Sequence, residues 1–181
     1  DPTETSSPPG HSYYLASIAI RTSGVPIMKA AETYARVGLA VADAFINCWK
    51  AKYTYFNERP SSYVKSYIVP NWVQFWPEPP FPACSSGHSS HAAAAATVLT
   101  DLYGDNFSFT DVAHEGYRRY DDYRFFDLKY PKRQYASFWE AANECAYSRF
   151  LGGIHTQQDN DIAMEQGRSV GENINALAWT K

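Results

Sequence analysis

The sequence lacks any run of apolar residues that could cross a bilayer, because no stretch approaches the roughly 18 residues that a spanning helix needs. It also lacks a surplus of either charge. With 16 basic and 19 acidic side chains among 181 residues, its net charge does not favour a nucleic-acid partner. Cysteine is scarce, and three residues without a Cys-x-x-Cys pair exclude a disulfide-rich scaffold. One disulfide with a leftover thiol remains open.

Apolar and aromatic residues, in contrast, are abundant. They make up 45% and 16% of the chain, against 19% charged residues, which is typical of a globular domain with a buried core. We expect one helical domain over residues 26–181, preceded by an N-terminal tail or linker end over residues 1–25. We also expect this domain to be the C-terminal part of a longer chain.

The spacing of apolar residues predicts an all-α fold, a bundle of helices. From Pro26 onward, a period of 3.6 residues predicts an amphipathic helix that reaches about residue 58 and stops before Pro60. Five prolines in residues 70–82 predict an ordered loop without regular structure. Further helices are predicted from Ser86 onward and over residues 111–120, 137–151 and 159–179.

Three short patches carry residues suited to chemistry, and the first lies near the end of the long helix. Lys52 and Arg59 are separated by about two helical turns, so both side chains project from one face roughly 10 Å apart along the axis. Two long cationic side chains that converge can hold a tetrahedral oxyanion between them. On its own, such a pair is more often a solvated helix face.

The second patch is Ser86-Gly87-His88, at the start of a predicted helix. The unpaired N–H groups and the positive end of the dipole make a helix start favourable for an anion. Gly87 lets the backbone approach closely, Ser86 adds a hydroxyl donor, and His88 would exchange protons beside the anion. The alternative is a plain N-cap followed by a surface histidine.

The third patch combines Arg149, His155 and Asp159 around the pair Gly152-Gly153. The two glycines release the chain from helical phase, so Arg149 and His155 can point to one place. Asp159 lies four residues after His155, which suits a hydrogen bond that fixes the imidazole tautomer. The other ring nitrogen is then free to attack phosphorus or to bind a metal.

Together the patches resemble the signature of the superfamily of vanadium-dependent haloperoxidases and type 2 phosphatidic acid phosphatases. The matching segments are Lys52-x6-Arg59-Pro60, Ser86-Gly87-His88 and Ser148-Arg149-x5-His155-x3-Asp159. The resemblance implies a helical bundle whose pocket holds vanadate or phosphate. The oxyanion-binding residues that it implies are Lys52, Arg59, Ser86, Gly87 and Arg149.

The resemblance also implies roles for the remaining three residues. His155 would bind vanadium or attack phosphorus, His88 would carry protons, and Asp159 would orient His155. One position departs from the pattern, since the superfamily usually has proline directly before Ser-Gly-His and this chain has Ser85. We expect this change to make the turn less rigid without removing a ligand.

Two activities share this pocket in the superfamily. A haloperoxidase uses vanadate as cofactor with hydrogen peroxide, a halide and a small organic substrate. A soluble acid phosphatase hydrolyses a small phosphomonoester through a phosphohistidine. Trp49 and Phe81 resemble aromatic residues beside the halide in related chloroperoxidases, so we expect a haloperoxidase that oxidises bromide or iodide, and chloride less readily. The acid phosphatase is the alternative.

The resemblance bears on location and on the thiols as well. Related bacterial enzymes that lack membrane spans are typically exported, so we expect a periplasmic or secreted protein.

Cys48, Cys84 and Cys145 lie beside the motifs. Hypohalite would oxidise exposed thiols there, so a haloperoxidase needs these cysteines to be buried or bridged.

The other histidines carry weaker signals. His91 follows His88 by one turn and is a candidate proton partner, although a structural role is more common. His11 and His114 lack the spacing of metal ligands and are predicted to be structural or exposed. The segment 118–133, rich in basic and aromatic residues, is predicted to be a solvated loop or a rim that shapes access to the pocket, not a nucleic-acid surface. The oligomeric state is left open.

Overall fold

A computed structural model describes residues 7–116, 118–121 and 124–179, with side chains outside residues 117–129. Its fold is an all-α bundle, as predicted. The helices are α1 (Pro8–Ser23), α2 (Ile27–Tyr55), α3 (Pro60–Tyr67), α4 (Gly87–Tyr103), α5 (Phe138–Leu151) and α6 (Gln157–Asn175). Short strands β1 (Phe109–Asp111), β2 (Arg118–Asp121), β3 (Arg124–Lys129) and β4 (Arg133–Tyr135) form two antiparallel pairs, β1 with β4 and β2 with β3.

Helix α4 lies at the centre of the bundle, where it packs against α1, α2, α5 and α6. Alanine favours the helical conformation, and the run 92–96 gives α4 a narrow surface, most of it buried. The first turn is capped by Ser86, whose Oγ accepts a hydrogen bond from the N–H of Ser89 at 3.4 Å. This cap was predicted from the sequence.

Two glycines let α6 approach α4 closely. A Cβ on Gly167 would lie 2.1 Å from the carbonyl oxygen of Ser90, and one on Gly171 would lie 2.5 Å from Cβ of Thr97. No larger residue fits at this distance without separating the helices. The crossing therefore fixes the start of α4 against the start of α6.

The N-terminal prediction was wrong, because residues 8–23 are helical rather than a tail. Ser7 caps α1 with a 3.3 Å bond to the N–H of Gly10, and the prolines of the first turn have no N–H that the helix needs. Leu15 and Ala16 of α1 belong to the buried core. Burial of this face against α2 and α4 accounts for the helix.

The helix predicted over residues 111–120 was also wrong. That segment contains the end of β1, a turn and the start of β2. Asp111 Oδ1 accepts a 2.8 Å bond from the N–H of Ala113, and this local bond competes with helix formation. The helix predicted to reach Trp179 ends at Asn175, because Trp179 folds back and donates from Nε1 to the carbonyl of Ile174 at 2.7 Å.

Other boundaries differ less. The long helix begins after Pro26, as predicted, and ends at Tyr55. Pro60 opens α3, since a proline suits the first turn of a helix as well as it ends one. The rim predicted over residues 118–133 lies largely outside the described side chains. Within the described residues, none of the helices combines the length and apolarity of a membrane span.

The glycine contacts predict a loss of stability in Gly167→Ala. The added methyl must displace the backbone of Ser90, so the free energy of unfolding should fall by about 1–3 kcal/mol in urea denaturation. Ser169→Ala, at an exposed position of the same helix, should stay within about 0.5 kcal/mol of the parent. Equal stabilities for the two variants would contradict the close packing of α4 and α6.

Candidate functional site

Lys52 is a fully buried cation in the last turns of α2. Its ammonium donates to the carbonyls of Pro82 and Ala83, both at 2.8 Å. Burial lowers its pKa to about 8, so the side chain remains largely charged at neutral pH. An ammonium has three N–H groups, and two of them face carbonyls, which leaves one for a ligand.

Arg59 is a second buried cation, held in extended backbone just before α3. Nε donates to the carbonyl of Phe81 at 3.0 Å, and Nη1 donates to the carbonyl of Ile154 at 2.7 Å. Nη2 is buried and has no hydrogen-bond partner among the described residues. Arg59 thus joins the first patch to the third and keeps a donor free.

His155 lies beside Arg59, with Nε2 3.1 Å from Nη1 of the guanidinium. Because a guanidinium only donates, Nε2 accepts here, and the proton of the neutral ring is assigned to Nδ1. Oδ2 of Asp159 lies 3.5 Å from Nδ1. Burial lowers the pKa of His155 to about 4 despite the carboxylate, so the ring is neutral at physiological pH.

Asp159 has a second, shorter contact that the sequence analysis did not predict. Its Oδ2 accepts from the N–H of Thr156 at 2.9 Å, and Thr156 Oγ1 accepts from the N–H of Asp159 at 3.1 Å. The pair is a capping box that begins α6. The signal Thr-x-x-Asp was present in the sequence. Asp159 therefore takes part in the cap at the start of α6 and also lies beside Nδ1 of His155.

The start of α4 brings in the second patch. A Cβ on Gly87 would lie 3.1 Å from the ring of Trp49, so glycine allows this part of the backbone to lie against the indole. Ser86 is fully buried, and its N–H donates to the carbonyl of Asp159 at 3.2 Å. This bond joins the second patch to the third. It also helps to hold the turn in which Ser85 replaces the usual proline.

His88 is half-buried at the first turn of α4. Burial, and then the positive charge of Arg149, hold its pKa well below the usual value. The neighbouring imidazoles of His91 and His155 contribute smaller shifts in the same direction. His88 is therefore neutral and able to accept a proton.

Arg149 comes from the last turn of α5. Its Nε is buried without a hydrogen-bond partner among the described residues, and its guanidinium lies 5.9 Å from the ring centre of Trp76. Gly152 is required here, because a Cβ would meet Trp76 at 2.0 Å. Gly153, at φ +70°, turns the chain from α5 toward His155, as the glycine pair predicted.

Trp49 and Phe81 form an aromatic wall beside the cations. Their ring centres are 5.2 Å apart. Lys52 Nζ lies 5.2 Å from the centre of Phe81, and the guanidinium carbon of Arg59 lies 5.4 Å from it. The wall is therefore apolar on one face and bounded by positive charge, which suits a weakly hydrated anion.

The three patches thus meet through direct contacts, although they are far apart in the sequence. Within the three patches, Arg59 Nη2 and Arg149 Nε are buried without a partner among the described residues, as is Arg36 Nε elsewhere in α2. Buried donors of this kind are rare unless a ligand satisfies them. The set of cations, a helix start and two neutral histidines fits a tetrahedral oxyanion such as vanadate or phosphate.

One histidine of this region, His91, has the buried structural role that the sequence analysis considered the more common one. His91 is buried, and its Nδ1 lies 3.1 Å from Oγ of Ser12 in α1. Its ring centre is 5.8 Å from that of His88 and 5.3 Å from that of Phe45. Burial lowers its pKa to about 3, so it is a neutral neighbour of His88. No sequence signal linked it to α1.

The thiols near the site are free and protected. Cys48 is fully buried, whereas Cys84 and Cys145 are half-buried. Burial raises the pKa of all three above the ordinary value. Since the thiolate is the form that oxidants attack most rapidly, these cysteines are poor targets at neutral pH.

Comparison with known proteins places this geometry in context. A family model described as the VCPO second helical-bundle domain matches residues 69–180. The crystal structure of the first bacterial vanadium-dependent iodoperoxidase is similar at a TM-score of 0.81 and 37% identity, over 93% of this chain and 38% of that one. A holo-type bacterial vanadium-dependent chloroperoxidase is similar at a TM-score of 0.70 and 17% identity, over 92% of this chain and 40% of that one.

These matches differ in what they support. The chloroperoxidase, at 17% identity, supports the fold alone. This chain spans 38% and 40% of the lengths of the two proteins, so each of them contains much that has no counterpart here. No curated protein matches the chain significantly.

The buried neutral histidines predict a loss of stability in acid. Unfolded histidines take up protons below about pH 6.5, whereas folded His155 does so only near pH 4, so between these values the unfolded state binds more protons. The free energy of unfolding in phosphate-free buffer should therefore fall by on the order of 1–3 kcal/mol from pH 6.5 to pH 4. Urea denaturation across this range measures it.

Acidic side chains also titrate near pH 4, so a variant isolates the histidine contribution. His155→Asn removes one buried imidazole and should lose stability less steeply over the same range. Identical slopes for the variant and the parent would rule out a depressed pKa for His155.

Proposed function

Since the chain belongs to the family of the VCPO second helical-bundle domain, and so to the vanadium haloperoxidase superfamily, we propose that it is the vanadate-binding part of a haloperoxidase. The proposed reaction is the oxidation of iodide or bromide by hydrogen peroxide to hypohalite. The observation that carries this proposal is that Arg59 Nη2 and Arg149 Nε are buried donors without a partner among the described residues, and that Nη1 of Arg59 donates to Nε2 of His155.

The residues that would hold vanadate supply complementary contacts. His155 Nε2 would bind the metal, since the proton assigned to Nδ1 leaves this nitrogen with its lone pair. The oxyanion oxygens would accept hydrogen bonds from residues of all three patches, namely Lys52, Arg59, Ser86, Gly87 and Arg149. When bound, vanadate supplies a Lewis acid that activates hydrogen peroxide for two-electron oxidation of the halide.

His88 is the proposed proton carrier of this reaction. Formation of hypohalous acid and water from hydrogen peroxide and halide (H2O2 + X− + H+ → HOX + H2O) consumes one proton, so a group near the pocket must deliver it. Burial, and then the positive charge of Arg149, hold the pKa of His88 low and keep the ring neutral. An oxyanion beside Arg149 would offset that charge, raise the pKa of His88 and allow it to hold the proton until it is needed.

Asp159 is proposed as a positioning residue for His155. A carboxylate beside the oxyanion would repel it, whereas one on the Nδ1 side of the ring stabilises the tautomer whose Nε2 binds metal. The bond from the N–H of Thr156 limits the rotation of this carboxylate. Asp159 therefore couples the start of α6 to the orientation of the ring.

The proposed halide surface is the aromatic wall of Trp49 and Phe81. Iodide and bromide are large, weakly hydrated anions. They therefore lose little hydration free energy when they move to an apolar surface next to Lys52 and Arg59. Iodide is favoured by the 37% identity with a bacterial iodoperoxidase. The burial of Cys48 and the raised pKa of all three thiols support tolerance of a hypohalite product. Export from the cytoplasm stays a prediction.

A parallel assay of one preparation tests the proposed function. With vanadate, hydrogen peroxide and iodide or bromide, the protein should halogenate a phenolic dye. In the same buffer without vanadate, hydrolysis of p-nitrophenyl phosphate should be slow by comparison. His88→Ala should reduce halogenation by about 10²- to 10⁴-fold, as is usual for the loss of a proton donor.

The phosphatase alternative has a distinct outcome in this assay. Hydrolysis of the phosphomonoester without oxidation of any halide between about pH 5 and 8 would replace the haloperoxidase with an acid phosphatase that uses the same pocket. Vanadate binding can be measured by the fluorescence of the tryptophans. Binding without either activity would reduce the function to oxyanion binding.

The Asp159→Asn variant tests the positioning role. Asn still accepts the bond from Thr156 N–H but lacks the charge, so vanadate affinity should fall by about 10- to 100-fold while the thermal midpoint changes little. Asp161→Asn, an exposed carboxyl on the first turn of the same helix, is the control and should bind vanadate as the parent does. Equal affinities for both variants would exclude the role.

A further inference from the structure

A second cluster of potential ligands lies outside the oxyanion pocket. It consists of His11 in the first turn of α1, Asp111 at the end of β1 and His114 in the turn that follows. One ligand atom from each residue, a ring nitrogen or a carboxylate oxygen, lies within 4.8 Å of the other two. None of the three residues belongs to the superfamily signature.

The carboxylate is the fixed member of the cluster. Asp111 is 4% exposed, its Oδ1 accepts from the N–H of Ala113 at 2.8 Å, and its Oδ2 lies 2.7 Å from Nε2 of His11. The ring centre of His114 lies 5.5 Å from that of His11. A buried carboxylate with two imidazoles on one side of it is an arrangement that metal ions use in proteins.

We propose that His11, Asp111 and His114 bind a divalent transition-metal ion, Zn²⁺ in the first place, which fastens α1 to β1. Two imidazoles and one carboxylate are a ligand set of zinc, with water in the fourth position, whereas Mg²⁺ and Ca²⁺ take oxygen ligands. Ligand atoms on a tetrahedral zinc ion lie about 3.3 Å apart. The half-exposed rings of His11 and His114 can rotate to reach that spacing.

The position of the cluster gives the metal a structural effect. His11 is followed by Ser12, whose Oγ lies 3.1 Å from Nδ1 of His91 in the centre of the bundle. A metal ion on His11 would therefore fix the turn of α1 that contacts His91. The inference does not depend on the proposed haloperoxidase activity, because it concerns other residues and is measured without vanadate.

Zinc titration of the chelator-treated full chain tests the site. The wild-type protein should bind one equivalent of Zn²⁺, measured by elemental analysis after gel filtration. At about 100 times the dissociation constant, its thermal midpoint should rise by roughly 5–10 °C. Asp111→Asn and His114→Ala should each lose this rise, whereas Asp105→Asn, an exposed carboxyl in the turn after α4, should keep it.

The thiols and the two pocket histidines could bind zinc instead, so a second measurement uses only the wild-type chain. Zinc should shift the imidazole nitrogen resonances of His11 and His114 and leave those of His88 and His155 in place. The spectrum of the Co²⁺ form should show no thiolate charge-transfer band. Zinc that binds equally to His114→Ala, or a cobalt spectrum with thiolate ligands, or no binding by the wild-type chain, would overturn the proposal.

Discussion

Burial of positive charge is the constraint on which the rest of the structure depends. Lys52 and Arg59 are 0% and 5% exposed, and neither forms an ion pair within the described residues. A buried cation without a counter-ion is strongly unfavourable unless its N–H groups find acceptors. Backbone carbonyls satisfy most of these groups but not Arg59 Nη2 or Arg149 Nε. Asp159 acts on both cations and Glu78 on Arg59, so this positive charge is compensated in part. An oxyanion at the site would compensate more of it.

This constraint also explains the proline-rich loop. Three consecutive carbonyls, those of Phe81, Pro82 and Ala83, accept hydrogen bonds from the two buried cations. Three carbonyls in a row can face inward only where the chain forms no helix or sheet ladder of its own, and the prolines of residues 70–82 prevent both. Proline also lowers the entropy that the loop loses on folding. The stiff loop therefore keeps these three carbonyls in position to accept hydrogen bonds from Lys52 and Arg59.

The sequence predicted which side chains come together better than it predicted the surroundings that hold them. Lys52, Arg59 and His155 could be found because their chemistry requires these residue types at these spacings. Their acceptors could not be found, because a backbone carbonyl is present at every position and only the tertiary fold determines which one faces a cation.

The errors in secondary structure have a related cause. The prolines of residues 8–9 suit a tail as well as the first turn of a helix, and burial of Leu15 decided between the two. Asp111 suits a helix cap as well as a turn, and its bond to Ala113 N–H decided for the turn. In both cases the sequence signal was ambiguous. Core packing resolved it for α1, and a local hydrogen bond of Asp111 resolved it for the turn.

The patches are joined to one another through backbone carbonyls, which accept from a guanidinium in one case and from a backbone N–H in the other. Arg59 Nη1 donates to the carbonyl of Ile154 at 2.7 Å, and the N–H of Ser86 donates to the carbonyl of Asp159 at 3.2 Å. Ser89 Oγ adds a 3.0 Å bond to Asn160 at the same crossing of α4 and α6. The distance between His88 and His155 is therefore set by how closely these two helices approach. Because Gly167 and Gly171 permit that approach, residues without any polar side chain determine whether the two histidines can act on one ligand.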